Sequence, residues 1–469
     1  MSPSKKSVKK YTKPSILKLG GPLYAKHGAA SKNSVPVRTE IGRVPVAQLA
    51  AEFGSPLFVF VEDTIRANFR SYANVFKRLY PKTVFGWSYK TNYLKAVCAI
   101  FHEEGAIAEV VSDFEYEKAR ALGLPGDQII FNGPYKPKNA LQRAIKEKAL
   151  IHIDSIDEIF EIENIANSLD LEARVGLRVN MNTGVYPQWS RFGLNFETGQ
   201  ALAAAKQLAR SKAIKFEGLH CHIGTFMLSV EAYTIAAEKI ASLFLEIERE
   251  TGITLNYIDM GGGFPSKNHL KGVYQAPEVA VPSISEYASA ITDTLKATFS
   301  DRELPTLILE AGRHLIDEAG FLITSVVSRK LLPDARRAYV LDAGVNLLYT
   351  STWYRPTFEL DGDEGSFLEP AVLFGPLCMN IDVVDSHLML PPLRVGKRLI
   401  LSPVGAYNVT QWMQFIQYRP AVVLVRKTGV VDVIRERENL AAVEGLERLP
   451  ADLNQTEKSF QAQKIRKAS

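Results

Sequence analysis

Between residues 84 and 313, short apolar runs alternate with helix-period segments, and this alternation limits the fold more than any other feature of the chain. Eight runs, at 84–89, 107–111, 128–132, 150–154, 175–179, 216–223, 255–260 and 306–310, read as buried parallel strands. Segments such as 113–122, 138–148, 155–169, 198–211, 230–251 and 284–299 carry helical periodicity, with Asp113 and Ser155 as expected N-caps. Eight strands separated by helices is the count of a TIM-type (β/α)₈ barrel. An open doubly wound sheet shows the same alternation, because periodicity alone does not close a barrel.

The flanks have a different character. Residues 1–45 form a basic, Lys-, Ser- and Pro-rich extension expected to be flexible, and 46–61 a short helical pattern followed by the apolar run Pro56-Leu-Phe-Val-Phe-Val61. The barrel is expected over 62–335. From 336 to 444 the runs 339–343, 357–360, 372–374, 398–402, 422–426 and 430–435 are short strands with little helix between them. They read as an all-β domain, a sandwich or barrel that also takes in the strand of the 46–61 segment. Residues 445–469 are a polar tail. The overall class is therefore α/β plus all-β.

Much of the net charge of +5 sits at the two ends, in Lys5, Lys6, Lys9, Lys10, Lys13, Lys464, Arg466 and Lys467. No basic stripe runs through the folded region, so nucleic acid is not an expected partner. No apolar run approaches the roughly 20 residues that cross a bilayer, and no apolar segment follows the N-terminal lysines, so neither a membrane partner nor a secretory signal is expected. Three cysteines, Cys98, Cys221 and Cys378, are too few and too odd for a disulfide framework and fit a reducing, cytoplasmic setting.

Chemistry in such a barrel gathers where the strands end. The first strand ends at Lys90, the sixth at His222, Gly224 and Thr225, the seventh at Gly261, Gly262 and Gly263, and the eighth at Glu310 and Arg313. Taken singly, each has an ordinary reading: a solvated lysine, a packed histidine, a turn, a structural ion pair. Together they supply an amine, an imidazole, a glycine-rich anion loop, a carboxylate and a guanidinium. That set suits pyridoxal phosphate, which needs a lysine for its Schiff base, a carboxylate for its ring nitrogen and a cradle for its phosphate. A P-loop is excluded, since no Gly-Lys-Ser/Thr follows the glycines. No metal site is expected, His220 and His222 being read as facing opposite sides of their strand.

At this point the sequence resembles the fold-type III pyridoxal-phosphate decarboxylases, the diaminopimelate and ornithine decarboxylase family. The blocks that carry the resemblance run in family order across about residues 45–440. They are Ser88-Tyr-Lys90-Thr-Asn, Val111-Ser112 before Glu115, Gly218-Leu-His-Cys-His222-Ile-Gly-Thr225, Asp259-Met-Gly-Gly-Gly-Phe264, Glu310-Ala-Gly-Arg313, Gly375-Pro-Leu-Cys378 and Gly405-Ala-Tyr407. Phe53-Gly-Ser-Pro-Leu-Phe-Val59 is similar to the diaminopimelate branch. The resemblance implies decarboxylation of a small amino-acid-type substrate, with Lys90 carrying the cofactor, His222 stacking on its ring and Glu310 at its ring nitrogen. It implies Thr225, Gly261 to Gly263, Arg313 and Tyr407 around the phosphate. It further implies a homodimer with the active site at the interface, where Cys378 of the second subunit returns a proton to Cα.

Substrate residues implied by the resemblance are Arg313, Tyr354, Met379 and Asp382, and here the chain departs from the pattern. The residue after the cysteine is Met379, where the diaminopimelate branch has Glu and the ornithine branch Asp. Counting from Asp342-Ala343-Gly344, Thr350 stands where the diaminopimelate branch has an arginine that grips the distal carboxylate. The expected substrate is therefore one with a neutral, apolar, carrier-linked or nucleotide-linked far end. Phe226, Trp353, Met379 and Trp412 are pocket candidates, with Arg355 and Arg419 as replacement anion contacts. Diaminopimelate itself, a racemisation or epimerisation, and a non-catalytic regulator are the competing readings. Alanine racemases place Arg at the ring nitrogen, so Glu310 speaks against a racemase of that kind.

Overall fold

The computed structural model describes residues 35–453, and the expectations for 1–34 and 454–469 lie outside it. The apolar runs form eight parallel strands: Thr83–Ser88, Ile107–Val110, Ile129–Phe131, Leu150–Ile153, Ala173–Asn180, Ile214–His220, Tyr257–Asp259 and Thr306–Ala311. Each pairs with its successor, fifth to sixth included. The eighth returns to the first in a register running from Leu307 opposite Thr83 to Ala311 opposite Trp87. The sheet is closed, which rules out the open-sheet alternative. Closure also leaves no unpaired strand edge among the eight.

Local chemistry fixes where the strands hand over to helices. Ser112 caps the helix Asp113–Ala121 by accepting from the Glu115 N–H at 3.2 Å, and the Glu115 carboxylate reaches back to the Val111 N–H at 2.8 Å. Asp113, expected as the cap, is instead the first helical residue. Ser155 does precede the helix Ile156–Leu169, without a side-chain cap hydrogen bond. The sixth strand stops at His220 rather than continuing to 223.

The second unit is built on the strand Leu57–Val61. It lies between Gly320–Leu331, to which it is antiparallel, and Ala421–Val425, to which it is parallel. Its alternate residues serve two cores. Phe58 and Phe60 face the large core that continues into the barrel, while Leu57, Val59 and Val61 pack with Val46, Leu49, Ile323 and Val423. A strand covered on both faces explains why the run is apolar without alternation. Two expected boundaries shift. The sheet begins at Gly320, not 336, because Gly320–Leu331 carries a polar end, Ser328 to Lys330, that hides its strand character. Residues 35–45 are part of the fold: Ile41 and Val44 are buried in the smaller core, and Glu40–Ile41 pairs with Val44–Pro45. Val383–Leu390, unforeseen because its register mixes polar and apolar residues, pairs antiparallel with Glu369–Phe374. Among the described residues no helix is long and apolar enough to cross a membrane.

Phe60 is fully buried where the two units meet. Phe60→Ala is expected to cost about 3–5 kcal/mol, read as a lower urea midpoint with an unchanged slope.

Candidate active site

Lys90 sits in a short 3₁₀ turn, Tyr89–Thr91, directly after the first barrel strand. Its Nζ donates to Glu109 Oε2 at 2.6 Å, and the Glu109 side chain is fully buried. Burial opposes the lysine charge most strongly. The Glu109 and Glu310 carboxylates and Tyr407 together outweigh it, so the Lys90 amine is held above its ordinary range. One loop of the sheet domain fastens this turn: the Tyr407 N–H donates to Thr91 O at 2.9 Å, and Thr410 Oγ1 donates to Lys90 O at 3.0 Å.

Below the lysine, the interior of the barrel is polar. Asn132 Nδ2 lies 2.9 Å from Glu109 Oε1 and 2.7 Å from Glu310 Oε1. His152 bridges Asn132 Oδ1 at 2.6 Å and the Tyr257 hydroxyl at 2.9 Å, and stacks on His220 with ring centroids 4.5 Å apart. His220 Nε2 is 3.4 Å from Glu310 Oε2. His152, His220 and Glu310 each offer a donor atom within 4.8 Å of the others. Both His152 nitrogens are already hydrogen-bonded, so the trio reads as a packed polar layer rather than a metal set.

His220 and His222 do not face opposite sides of one strand as expected, because positions two apart on a strand share a face. The two diverge because the strand ends between them. His220 stays in the barrel, while His222 lies on the following loop, where its Nδ1 accepts from the Gly262 N–H at 3.0 Å. Burial, with Lys90 and Arg178 nearby, holds the His222 imidazole well below its usual range, so it is neutral. Trp189 stands 5.7 Å from it, centroid to centroid.

The glycine loop is forced by its neighbours. A Cβ at Gly262 would lie 2.3 Å from Glu310 O, and one at Gly263 2.4 Å from Gly224 O; Gly261 and Gly263 also have positive φ. Two of its three N–H groups are committed, Gly261 to Asp259 Oδ1 at 2.8 Å and Gly262 to His222. Among the described residues the Gly263 N–H has no partner, which narrows the expected anion cradle to that amide. Thr225 is exposed on the neighbouring loop.

Arg313 opens the short helix Arg313–Ile316 after the eighth strand. Three rings surround its guanidinium, with centroids 4.4 Å (Tyr354), 4.8 Å (Tyr407) and 5.6 Å (Phe226) from Cζ. The residue is only 7% exposed, yet among the described residues its Nε and Nη1 have no hydrogen-bond partner. Asp317 approaches to 3.8 Å. A buried guanidinium with free donors and covered faces is a receptor for an anion meeting its edge.

The remaining expected residues lie apart from this cluster. Cys378 is exposed on the loop after Glu369–Phe374, and Met379 is half-buried beside it. Asp382 does not face a substrate: it is buried, and its carboxylate accepts from the Val345 and Leu377 N–H groups, each at 2.8 Å. It braces the Cys378 loop. The replacement anion contacts are also spent, Arg355 on Asp385 and Arg419 on Glu438. Trp412 packs on Phe58 and beneath Arg435, and Trp353 is exposed. Glu109, Asn132, His152 and Tyr257 were missed. Glu109, His152 and Tyr257 are polar at barrel-strand positions and Asn132 directly follows a strand, and that is itself a readable signal, since a polar group buried in a barrel must have a partner.

The sequence of residues 62–317 matches the pyridoxal-binding domain of the pyridoxal-dependent decarboxylases, and 313–405 matches their C-terminal sheet domain. The chain belongs to the pyridoxal-dependent decarboxylase family. It is 30% identical over 421 residues to the diaminopimelate decarboxylase of Methanocaldococcus jannaschii, covering 87% of this chain and 94% of that one. The crystal structure of diaminopimelate decarboxylase from M. jannaschii superposes with a TM-score of 0.82 at 29% identity, over 90% of this chain and 99% of that one. The same enzyme in co-complex with L-lysine gives 0.81 at 28%, over 90% and 99%. As a member of the family the chain is a carboxy-lyase that acts on an amino acid and uses pyridoxal phosphate.

The residues present fit that cofactor: an amine at the barrel mouth, a carboxylate beneath it, an uncommitted glycine amide and an arginine with unused donors. Gly262→Ala is expected to lower cofactor occupancy of the purified protein by about tenfold or more while leaving its circular dichroism intact, because the added Cβ displaces backbone rather than a flexible side chain.

Proposed function

We propose that this chain removes the α-carboxyl group of an amino acid whose far end carries no free carboxylate, being neutral, apolar, or joined to a carrier or nucleotide. We further propose that it works as a homodimer in which Cys378 serves the partner's site. Thr350 carries the substrate half of this reading. It stands where the diaminopimelate pattern has arginine, it is buried, and its hydroxyl already donates to Asn408 Oδ1 at 2.8 Å. Met379 offers no charge for a distal amine, and neither Arg355 nor Arg419 is free to compensate. A distal charge placed there without a partner costs on the order of several kcal/mol.

Bound pyridoxal phosphate supplies an electron-accepting ring for the electron pair that departing CO₂ leaves on Cα. Lys90 would carry it, Glu310 would accept from its ring nitrogen, and His222 would lie against its face. The Gly263 N–H, Thr225, Tyr407 and Arg313 would hold its phosphate. Cys378 would hold the proton destined for Cα. Its exposed position, next to exposed Ile381 and on the same domain as exposed Trp353, Ile416 and Tyr418, supports a site completed by a second subunit.

A second reading, decarboxylation of diaminopimelate itself, is favoured by one observation: Arg313 keeps unused donors beside Tyr354. CO₂ release from meso-diaminopimelate and from amino acids with neutral or masked far ends separates the two. The expected kcat/KM favours a masked compound by at least about a hundredfold, and the opposite order would establish the second reading. Mixing inactive Lys90→Ala and Cys378→Ala proteins is expected to restore about a quarter of wild-type activity, since half the dimers are mixed and each holds one intact site. No recovery would remove the cross-subunit role.

A further inference from the structure

The hydrogen bonds beneath Glu310 run in one consistent direction. Glu109 is paired with Lys90 and accepts only, so the Asn132 amide must turn its NH₂ toward it, and the same nitrogen reaches Glu310. Asn132 Oδ1 is then the atom 2.6 Å from His152 Nδ1, and it accepts, so Nδ1 carries the hydrogen. Burial and the stacked His220 keep His152 neutral, which leaves its Nε2 as an acceptor for the Tyr257 hydroxyl at 2.9 Å. The chain therefore runs from Tyr257 through His152 to Asn132 and divides between two carboxylates. All five residues come from separate barrel strands or their ends: Glu109 from the second, Asn132 from the third, His152 from the fourth, Tyr257 from the seventh and Glu310 from the eighth.

We propose that Asn132 is a positioning residue for the decarboxylation. Its amide clamps the Glu109 and Glu310 carboxylates into one unit, and His152 and Tyr257 set the direction of that amide. The proposal rests on the cofactor reading of Lys90 and Glu310 given above. The physical need is clear: two buried carboxylates that approach one nitrogen to within 3 Å repel each other once its hydrogens are removed. One then takes a proton or swings away, and either the lysine loses its partner or the ring nitrogen its acceptor. Neither change touches Tyr354, Thr350 or Met379, so the loss falls on turnover rather than on substrate binding.

The test compares wild type, Asn132→Ala and Tyr257→Phe as holoenzymes, with cofactor absorbance read beside kinetics. Asn132→Ala is expected to retain bound cofactor, with a changed visible absorption spectrum, a kcat lower by roughly ten- to hundredfold and KM within about threefold of wild type. Tyr257→Phe removes one hydroxyl only. It is expected to lower kcat severalfold in the same direction, and it carries the test should the alanine variant fail to fold. A wild-type spectrum and kcat in either folded variant would overturn the proposal. A wild-type protein that takes up no pyridoxal phosphate would overturn the reading beneath it, an outcome visible before any variant is made.

Discussion

A fully buried glutamate 2.6 Å from a lysine at the mouth of a barrel is the interaction on which the rest of the site depends. The glutamate charge is not tolerable there alone, since an unpaired buried ion is destabilising by on the order of several kcal/mol. Glu109 therefore holds Lys90 inward, and Asn132 in turn holds Glu109. From that pair the polar layer extends through Glu310 and the stacked histidines, replacing the branched apolar filling usual in such barrels. Asn132 and His152 carry the hydrogen bonds of this layer, whereas the His220 nitrogens meet no hydrogen-bond partner among the described residues.

Closure of the eight strands brings these groups to one end, and the sheet domain completes them. Tyr407 and Thr410 grip the lysine turn from above, and Tyr407 also walls the Arg313 guanidinium. The strand Leu57–Val61 ties this arrangement together, joining the N-terminal segment to the sheet while sharing the barrel's core through Phe58 and Phe60. Site and architecture are thus coupled: the loop that fastens Lys90 hangs on a sheet that takes in a strand preceding the barrel in sequence.

Much of this was legible in the sequence. Buried parallel strands read as largely apolar runs, so all eight were visible, and Lys90, His222, Gly261 to Gly263, Glu310 and Arg313 stood out as polar or glycine residues at their ends. What escaped depends on three-dimensional partners. Glu109 in Ala108-Glu109-Val110 and His152 in Leu150-Ile151-His152-Ile153 sit inside apolar runs, and only the closed barrel reveals that they meet. The commitment of the Gly261 and Gly262 amides to Asp259 and His222 follows from loop geometry, not composition. Arg355 looked available because its partner, Asp385, comes from a strand that was not foreseen.

The most direct measurement is to load the purified protein with pyridoxal phosphate, reduce it with borohydride and locate the modified residue by peptide mass spectrometry. The expected result is a single pyridoxyl-modified peptide with the modification on Lys90. Modification at another lysine, or none at all, would contradict the assignment of the barrel mouth as the cofactor site.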